Sequence, residues 1–102
     1  MHILICEHEH FIRRALAEHL SSLGYQVTEV TTGPECLEFV THTLPDLMLL
    51  DNAQIIRKLK AKNIQIPIIM MTSAQIPGYE YIQKPYELSD VSALIQGLIS
   101  NG

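Results

Sequence analysis

Short apolar runs alternate along the chain with longer segments in which apolar residues recur every three or four positions. Three runs, at residues 3–6, 47–50 and 66–71, are apolar throughout. This is the pattern of strands in a sheet that helices cover on both faces. Two weaker runs, at residues 25–30 and 79–82, alternate between apolar and polar residues and predict the two edge strands.

The segments between these runs carry helical periodicity. The four predicted helices lie around residues 12–23, 33–40, 55–59 and 88–98. Gly24 follows the first helix as a C-terminal stop, and Pro34 suits the first turn of the second. Alternation of strands and helices with short connections predicts an α/β fold with a doubly wound parallel sheet and right-handed crossovers.

Length and composition narrow the class of protein. The chain has 102 residues, of which 47% are hydrophobic and 18% charged, so we expect one domain over residues 1–102. A net charge of -4 argues against nucleic acid as a partner, and no apolar run approaches the length of a membrane span. Cys6 and Cys36 are expected to be reduced thiols, which predicts a cytoplasmic protein.

A polar side chain with useful chemistry follows each of four predicted strands. These are Glu7, Asp51, Thr72 and Lys84. The strands of a parallel sheet end at one edge, where ligands bind, so two carboxylates, a hydroxyl and an ammonium should converge there. Carboxylates can hold a hard divalent cation, and the hydroxyl and ammonium can bind phosphate oxygens. The set predicts a phosphoryl-accepting site, while the sequence has no glycine-rich nucleotide loop.

Six stretches of sequence surround these side chains. They are residues 3–9 with Ile12 and Arg13, 24–27, 33–37, 45–51, 67–72 and 81–86. Together they resemble the receiver domain of two-component response regulators over nearly the full length of the chain. The resemblance implies a flavodoxin-like fold with strand order 2-1-3-4-5, formed by a single receiver-like domain over residues 1–102 with no output domain. It also implies that the protein transmits a signal in a phosphorelay and is not an enzyme.

The resemblance also implies a role for individual residues. By it, Asp51 is the phospho-acceptor, Thr72 the switch hydroxyl and Lys84 the lysine that contacts the phosphate. Tyr81 stands where the family places its switch aromatic residue. Glu7 and Asp51 would hold Mg²⁺ or Mn²⁺, and the implied partner is a histidine kinase, a phosphotransfer protein or another signalling protein.

Three departures from the family pattern change these expectations. His8 stands where the family has a second carboxylate; imidazole is a poor ligand for a hard cation, so any Mg²⁺ or Mn²⁺ binding should be weak. The loop that usually follows the acceptor is absent after Asp51. Only residues 72–78 join the fourth and fifth strands, so the fourth helix of the family should be missing or reduced to a loop. The sheet face over Ile68, Met70 and Tyr81, or over the residues one position along, should then lose its helical cover. A homodimer or a partner helix could cover that face, or Ile76 and Tyr79 could fold inward and fill the gap within a monomer.

Two functions remain open at this point. In the first, this is a stand-alone atypical receiver that acts by protein–protein interaction and retains a phospho-acceptor pocket of doubtful activity. In the second, Asp51 accepts a phosphoryl group from a histidine kinase or phosphotransfer protein. A small-molecule enzyme is disfavoured, because no insertion forms a pocket. A zinc site from His2, Cys6, His8 and His10 is also disfavoured, because no paired cluster of ligands follows later in the chain.

Overall fold

Five parallel strands form one sheet at the centre of the molecule. The structure, a computed structural model, describes residues 1–71, 78–83 and 85–101. The strands are β1 (His2–Cys6), β2 (Gln26–Val30), β3 (Leu47–Leu50), β4 (Ile68–Met71) and β5 (Glu80–Ile82). Their order is β2-β1-β3-β4-β5, and every neighbouring pair is parallel. The predicted doubly wound, flavodoxin-like sheet and its two edge strands are therefore confirmed.

Four helices of the described chain cover the two faces of this sheet. They are α1 (His10–Ser22), α2 (Gly33–His42), α3 (Gln54–Ala61) and α4 (Leu88–Asn101). α1 and α4 pack on one face, and α2 and α3 pack on the other. After α1 the chain turns at Gly24, whose φ of 96° lies in the left-handed region that favours glycine. None of the described helices is long and apolar enough to cross a membrane.

The two central strands are buried on both sides, because their side chains point alternately to the two helical layers. Leu47 and Leu49 face α1 and α4, whereas Met48 and Leu50 face α2 and α3. β1 alternates in the same way and pairs with β3 in a register that sets Cys6 against Leu50. The residues that follow these two strands therefore leave the sheet side by side.

The first turn of α2 is fixed at the same edge of the sheet. The Thr32 hydroxyl oxygen accepts a hydrogen bond from the Glu35 amide at 3.3 Å, and the Glu35 carboxylate accepts one from the Thr32 amide at 3.2 Å. This capping box satisfies backbone donors that a helix start otherwise leaves unpaired. Gly33 lies so close to Ile55 of α3 that an added Cβ would collide with that side chain. The junction between α2 and α3 is therefore closely packed.

The connection between β4 and β5 differs in part from expectation. β4 begins at Ile68, two residues later than the apolar run, because Pro67 has no amide to donate to the sheet. The predicted loss of a helix between these strands falls on residues 72–77, which lie outside the described residues. The expected uncovered face is wrong for its central residue: Met70 is fully buried, and Tyr79 packs against the same apolar cluster.

Candidate functional site

Three titratable side chains meet at the carboxyl ends of β1 and β3. Glu7 and His8 follow β1, and Asp51 follows β3. The Asp51 amide donates to the Cys6 carbonyl at 3.3 Å, and the Glu7 amide donates to the Val30 carbonyl at 3.2 Å. These bonds continue the sheet ladders past the last strand residues. The pairing of the strands thus fixes where both carboxylates emerge.

His8 and Asp51 make the closest contact at this edge. The His8 ring atom Nδ1 lies 2.8 Å from Asp51 Oδ2, and the His8 amide donates to the same oxygen at 3.2 Å. Glu7 Oε2 lies 3.4 Å from His8 Nδ1. One ligand atom from each of the three side chains lies within 4.8 Å of the others. The three side chains therefore form a single cluster.

The members of this cluster differ greatly in burial. The exposed fraction of the side chain is 1% for Glu7, 10% for Asp51 and 69% for His8. Burial alone would raise the pKa of Asp51, but hydrogen bonds with Glu7 and with the side chain and backbone of His8 outweigh it, so that pKa lies below its ordinary 3.8. The hydrogen bond and negative charge of Asp51 raise the pKa of His8 above 6.5. Asp51 is therefore ionised at neutral pH.

An open pocket of about 440 Å³ leads to Asp51. Its lining comes from the ends of β1, β2 and β3 and the start of α2: His8, Thr31, Thr32, Gly33, Asp51, Asn52 and Ala53. The Asp51 carboxylate is thus largely buried and ionised, and the pocket connects it to solvent.

Comparison with known proteins identifies the family. The response regulator receiver domain family matches residues 3–96. The chain belongs to this family. As a receiver domain it is part of two-component signalling, and the fold described above is the one that its solved relatives share.

Curated relatives of this receiver domain are about twice its length. Response regulator MprA from Mycobacterium leprae (strain TN) is 28% identical over 116 aligned residues, covering 97% of this chain and 51% of that protein. The probable transcriptional regulator ycf27 from Cyanidium caldarium is 32% identical, covering 96% of this chain and 46% of that protein. The chain therefore spans about half the length of the curated relatives it matches. The alignment with MprA is longer than the 102 residues of this chain, so MprA has positions that this chain lacks.

Solved structures agree with this receiver fold. The signal receiver domain of a signal transduction histidine kinase from Syntrophus aciditrophicus superposes with a TM-score of 0.85 at 27% identity, covering 98% of this chain and 90% of that chain. A CheY-like response regulator receiver domain protein from Methanospirillum hungatei JF-1 has a TM-score of 0.83 at 21% identity, covering 99% and 98%. The second likeness concerns the fold alone.

Of the remaining predicted site residues, the structure describes Tyr81 only. Thr72 follows β4 in sequence and Lys84 comes two residues after β5, and both lie outside the described residues. β4 and β5 run parallel to β3. This excludes an antiparallel fifth strand, whose carboxyl end would lie at the opposite end of the sheet from Asp51. Tyr81 lies on the edge strand β5 opposite Met70 and is partly exposed.

Tyr86 and Arg13 belong to the surroundings of this site, although the sequence assigned neither of them a function. Burial raises the pKa of Tyr86, and the negative charges of Glu7, Glu9 and Asp51 raise it further. The Tyr86 hydroxyl is buried without a hydrogen-bond partner among the described residues. Arg13 donates to the Glu7 backbone carbonyl at 3.1 Å. The position of Arg13 could have been found from its helical spacing, because it lies four residues after Glu9. No pattern in the sequence indicates that Tyr86 lies near the acidic cluster.

The cluster fits a divalent cation of the kind that receiver domains bind. Glu7 and Asp51 offer carboxylate oxygens, which Mg²⁺ and Mn²⁺ both accept, and His8 offers an imidazole nitrogen, which suits Mn²⁺ better than Mg²⁺. The Glu7 carboxylate accepts a hydrogen bond from the Glu9 amide at 3.2 Å and lies on the side of Asp51 where His8 also contacts it. The residue types and their spacing are therefore compatible with a cation between Glu7 and Asp51.

Proposed function

We propose that this receiver domain accepts a phosphoryl group on Asp51 and passes the signal on through protein contacts in the cytoplasm. The observation that carries the proposal is the ionised, 10% exposed Asp51 carboxylate at the end of an open pocket. A carboxylate that is shielded from bulk water and still reachable is suited to act as a nucleophile. We assign the domain no turnover of a small-molecule substrate.

The reaction at Asp51 is a displacement at phosphorus. A carboxylate oxygen attacks the phosphorus of a phosphohistidine, a new O–P bond forms and the P–N bond breaks. The leaving imidazole nitrogen keeps the electron pair, and Asp51 becomes an acyl phosphate. A divalent cation, when bound, neutralises charge that builds up on the phosphoryl oxygens. Glu7 and Asp51 are the residues that would hold it, and His8 orients the acceptor through Oδ2.

Thr72 and Lys84 complete the proposed site. Each follows, in the sequence, a strand that runs parallel to β3, and we propose that the Thr72 hydroxyl and the Lys84 ammonium act on the new phosphoryl group. The ammonium offsets negative charge on phosphate oxygens, and the hydroxyl donates a hydrogen bond to one of them. We propose Tyr81 as the side chain that responds to the change at Thr72.

The surface beside α1 suits a protein phosphodonor. Phe11 is 86% exposed, which is unusual for an aromatic side chain. It borders an apolar groove of about 610 Å³ that Ile12, Pro85 and Tyr86 also line. We expect Phe11→Ala to slow transfer from a phosphotransfer protein and to leave labelling by a small phosphodonor unchanged. Leu44→Ala, at another exposed apolar residue, is the control; an equal effect of both variants would remove the groove from the proposal.

Intact-mass analysis tests the proposal. The chain is incubated with acetyl phosphate and either Mg²⁺, Mn²⁺ or EDTA, and we expect one phosphoryl group in the presence of a divalent cation. Asp51→Asn should abolish the adduct, whereas Asp46→Asn should keep it. Asp46 precedes β3 and accepts a hydrogen bond from the His2 amide at the amino ends of the strands, far from the pocket. It therefore serves as a matched control aspartate. An unmodified wild-type chain, or equal labelling of both variants, would contradict the proposal.

A second function, as an atypical receiver that binds partners without phosphorylation, is favoured by one observation. The His8 ring and amide both contact Asp51 Oδ2, so the acceptor already has donors in the absence of a phosphoryl group. If this function holds, neither Mg²⁺ nor Mn²⁺ yields an adduct. Asp51→Asn then binds a protein partner as tightly as the wild type does in calorimetry.

A further inference from the structure

The only two cysteines of the chain lie together beside the Asp51 pocket. Cys6 is the last residue of β1 and directly precedes Glu7, and Cys36 lies in the first turn of α2. Both side chains are almost fully buried in the cluster between the sheet and the helices α2 and α3. Neither belongs to the phosphoryl-accepting cluster, and both are free thiols.

Direct contacts hold the two thiols at one place. Cys6 Sγ donates to the Thr32 carbonyl at 3.6 Å, and the Cys36 amide donates to the same carbonyl at 3.0 Å. The shared carbonyl and the common apolar cluster set the two cysteines side by side between the end of β1 and the first turn of α2. The capping box at Thr32 keeps the α2 backbone in place, so two cysteines in this arrangement are candidates for a disulfide.

We propose that Cys6 and Cys36 are a modification site that forms a reversible intrachain disulfide under oxidising conditions. With hydrogen peroxide as oxidant, the sulfur of one thiol attacks a peroxide oxygen, the O–O bond breaks, and the thiol becomes a sulfenic acid while its proton leaves with the second oxygen as water. The second thiol attacks that sulfur, the S–S bond forms, and a second water leaves with the sulfenic oxygen. Two thiols are oxidised and one peroxide is reduced. A thiol reductant returns both cysteines to the starting state.

The disulfide would tie the first turn of α2 to the end of β1. Thr31 and Thr32, which line the Asp51 pocket, are the two residues between β2 and α2. The bond closes a loop of about 30 residues, so it restricts the unfolded chain more than the folded one. We expect the midpoint of thermal unfolding to rise by about 5 °C or more. This inference is independent of phosphorylation at Asp51.

Refolding in a redox buffer tests the inference without requiring an oxidant to enter the folded core. The full chain is unfolded, refolded in mixtures of reduced and oxidised glutathione, and quenched with a thiol-alkylating reagent. We expect a monomer that has lost two hydrogen atoms, takes up no alkyl group and regains two alkylation sites after reduction. Peroxide treatment of the folded chain should give the same product. Its unfolding midpoint should exceed that of the reduced chain.

Two single variants serve as controls. Cys6→Ala and Cys36→Ala should each keep one alkylation site in every buffer and show no oxidant-dependent rise in unfolding midpoint. The wild-type result stands without them if a variant fails to fold. Two alkylation sites at the most oxidising mixture, disulfide-linked dimers, or glutathione or oxygen adducts in place of the intrachain bond would each overturn the inference.

Discussion

Replacing His8 with aspartate should strengthen Mg²⁺ binding at the site. His8 Nδ1 lies 2.8 Å from Asp51 Oδ2 and 3.4 Å from Glu7 Oε2. A carboxylate in place of the imidazole would therefore lie close enough to the other two carboxylates to bind the same cation. Mg²⁺ prefers oxygen ligands and gains a third negative partner in the variant. We expect the dissociation constant for Mg²⁺ to fall about tenfold or more, which corresponds to about 1.4 kcal/mol.

The same free energy should appear in thermal unfolding. With Mg²⁺ well above both dissociation constants, the variant gains about 1.4 kcal/mol more from the cation than the wild type does. For a domain near this size, 1 kcal/mol shifts the unfolding midpoint by about 4–8 °C. Without the cation, His8→Asp should unfold at a lower temperature than the wild type, because three carboxylates repel one another and the His8 hydrogen bond is lost. Mg²⁺ therefore should raise the midpoint of His8→Asp by at least about 5 °C more than that of the wild type.

Calorimetric titration and thermal unfolding in Mg²⁺ or EDTA measure both quantities. His8→Asn removes the imidazole without adding charge, and His42→Asp adds the same charge at a similarly exposed histidine at the end of α2. Neither control should gain affinity for Mg²⁺. If His8→Asp binds Mg²⁺ no more tightly than wild type, or if His42→Asp gains as much, His8 does not lie at the cation site.

Three further results are expected. The raised pKa of His8 contributes stability that is complete below pH 6.5 and is lost as pH rises through its folded pKa, while the lowered pKa of Asp51 keeps that carboxylate ionised above pH 3.8. The unfolding midpoint of the wild type should therefore exceed that of His8→Gln most between about pH 5 and 6.5, and this excess should shrink as the pH rises further; a constant difference across the range would contradict the pairing. Thr32→Ala removes the side-chain half of the capping box and should cost about 1 kcal/mol in urea unfolding, whereas Thr32→Ser should cost little; equal losses would mean that the hydroxyl is not the cap. Leu50→Ala empties a fully buried position between the sheet and α2 and α3 and should cost about 2–5 kcal/mol by the same measurement; a loss below about 1 kcal/mol would show that this layer is loosely packed.

The sequence predicted the fold because the decisive patterns are local. The runs that became β1 and β3 are apolar on both faces, which only a sheet covered on both sides can bury. Once the strands are parallel, the residues after them must share an edge, so the meeting of Glu7 and Asp51 followed from strand direction alone. His8 lies beside them, with Nδ1 2.8 Å from Asp51 Oδ2.

What the sequence did not predict depends on packing between distant segments. The sequence left open whether Tyr79 folds inward over the face at Met70, because the return of the chain to β5 decides this packing. Tyr79 does pack against that cluster, with Lys60 Nζ 5.4 Å from the centre of its ring. Tyr86 comes near the acidic cluster because of the path between β5 and α4, which has no periodic pattern. Cys6 and Cys36, which both donate to the Thr32 carbonyl, join a strand end to a helix start 30 positions later in the chain.

Localisation of the phosphoryl group tests the central claim most directly. The chain is treated with acetyl phosphate and Mg²⁺ or Mn²⁺, reduced with borohydride, which converts an aspartyl phosphate to homoserine, and mapped by tandem mass spectrometry. We predict conversion at Asp51 alone, dependent on the divalent cation. Conversion at any other aspartate, or an unmodified Asp51 under conditions that label an established receiver domain in parallel, would contradict it.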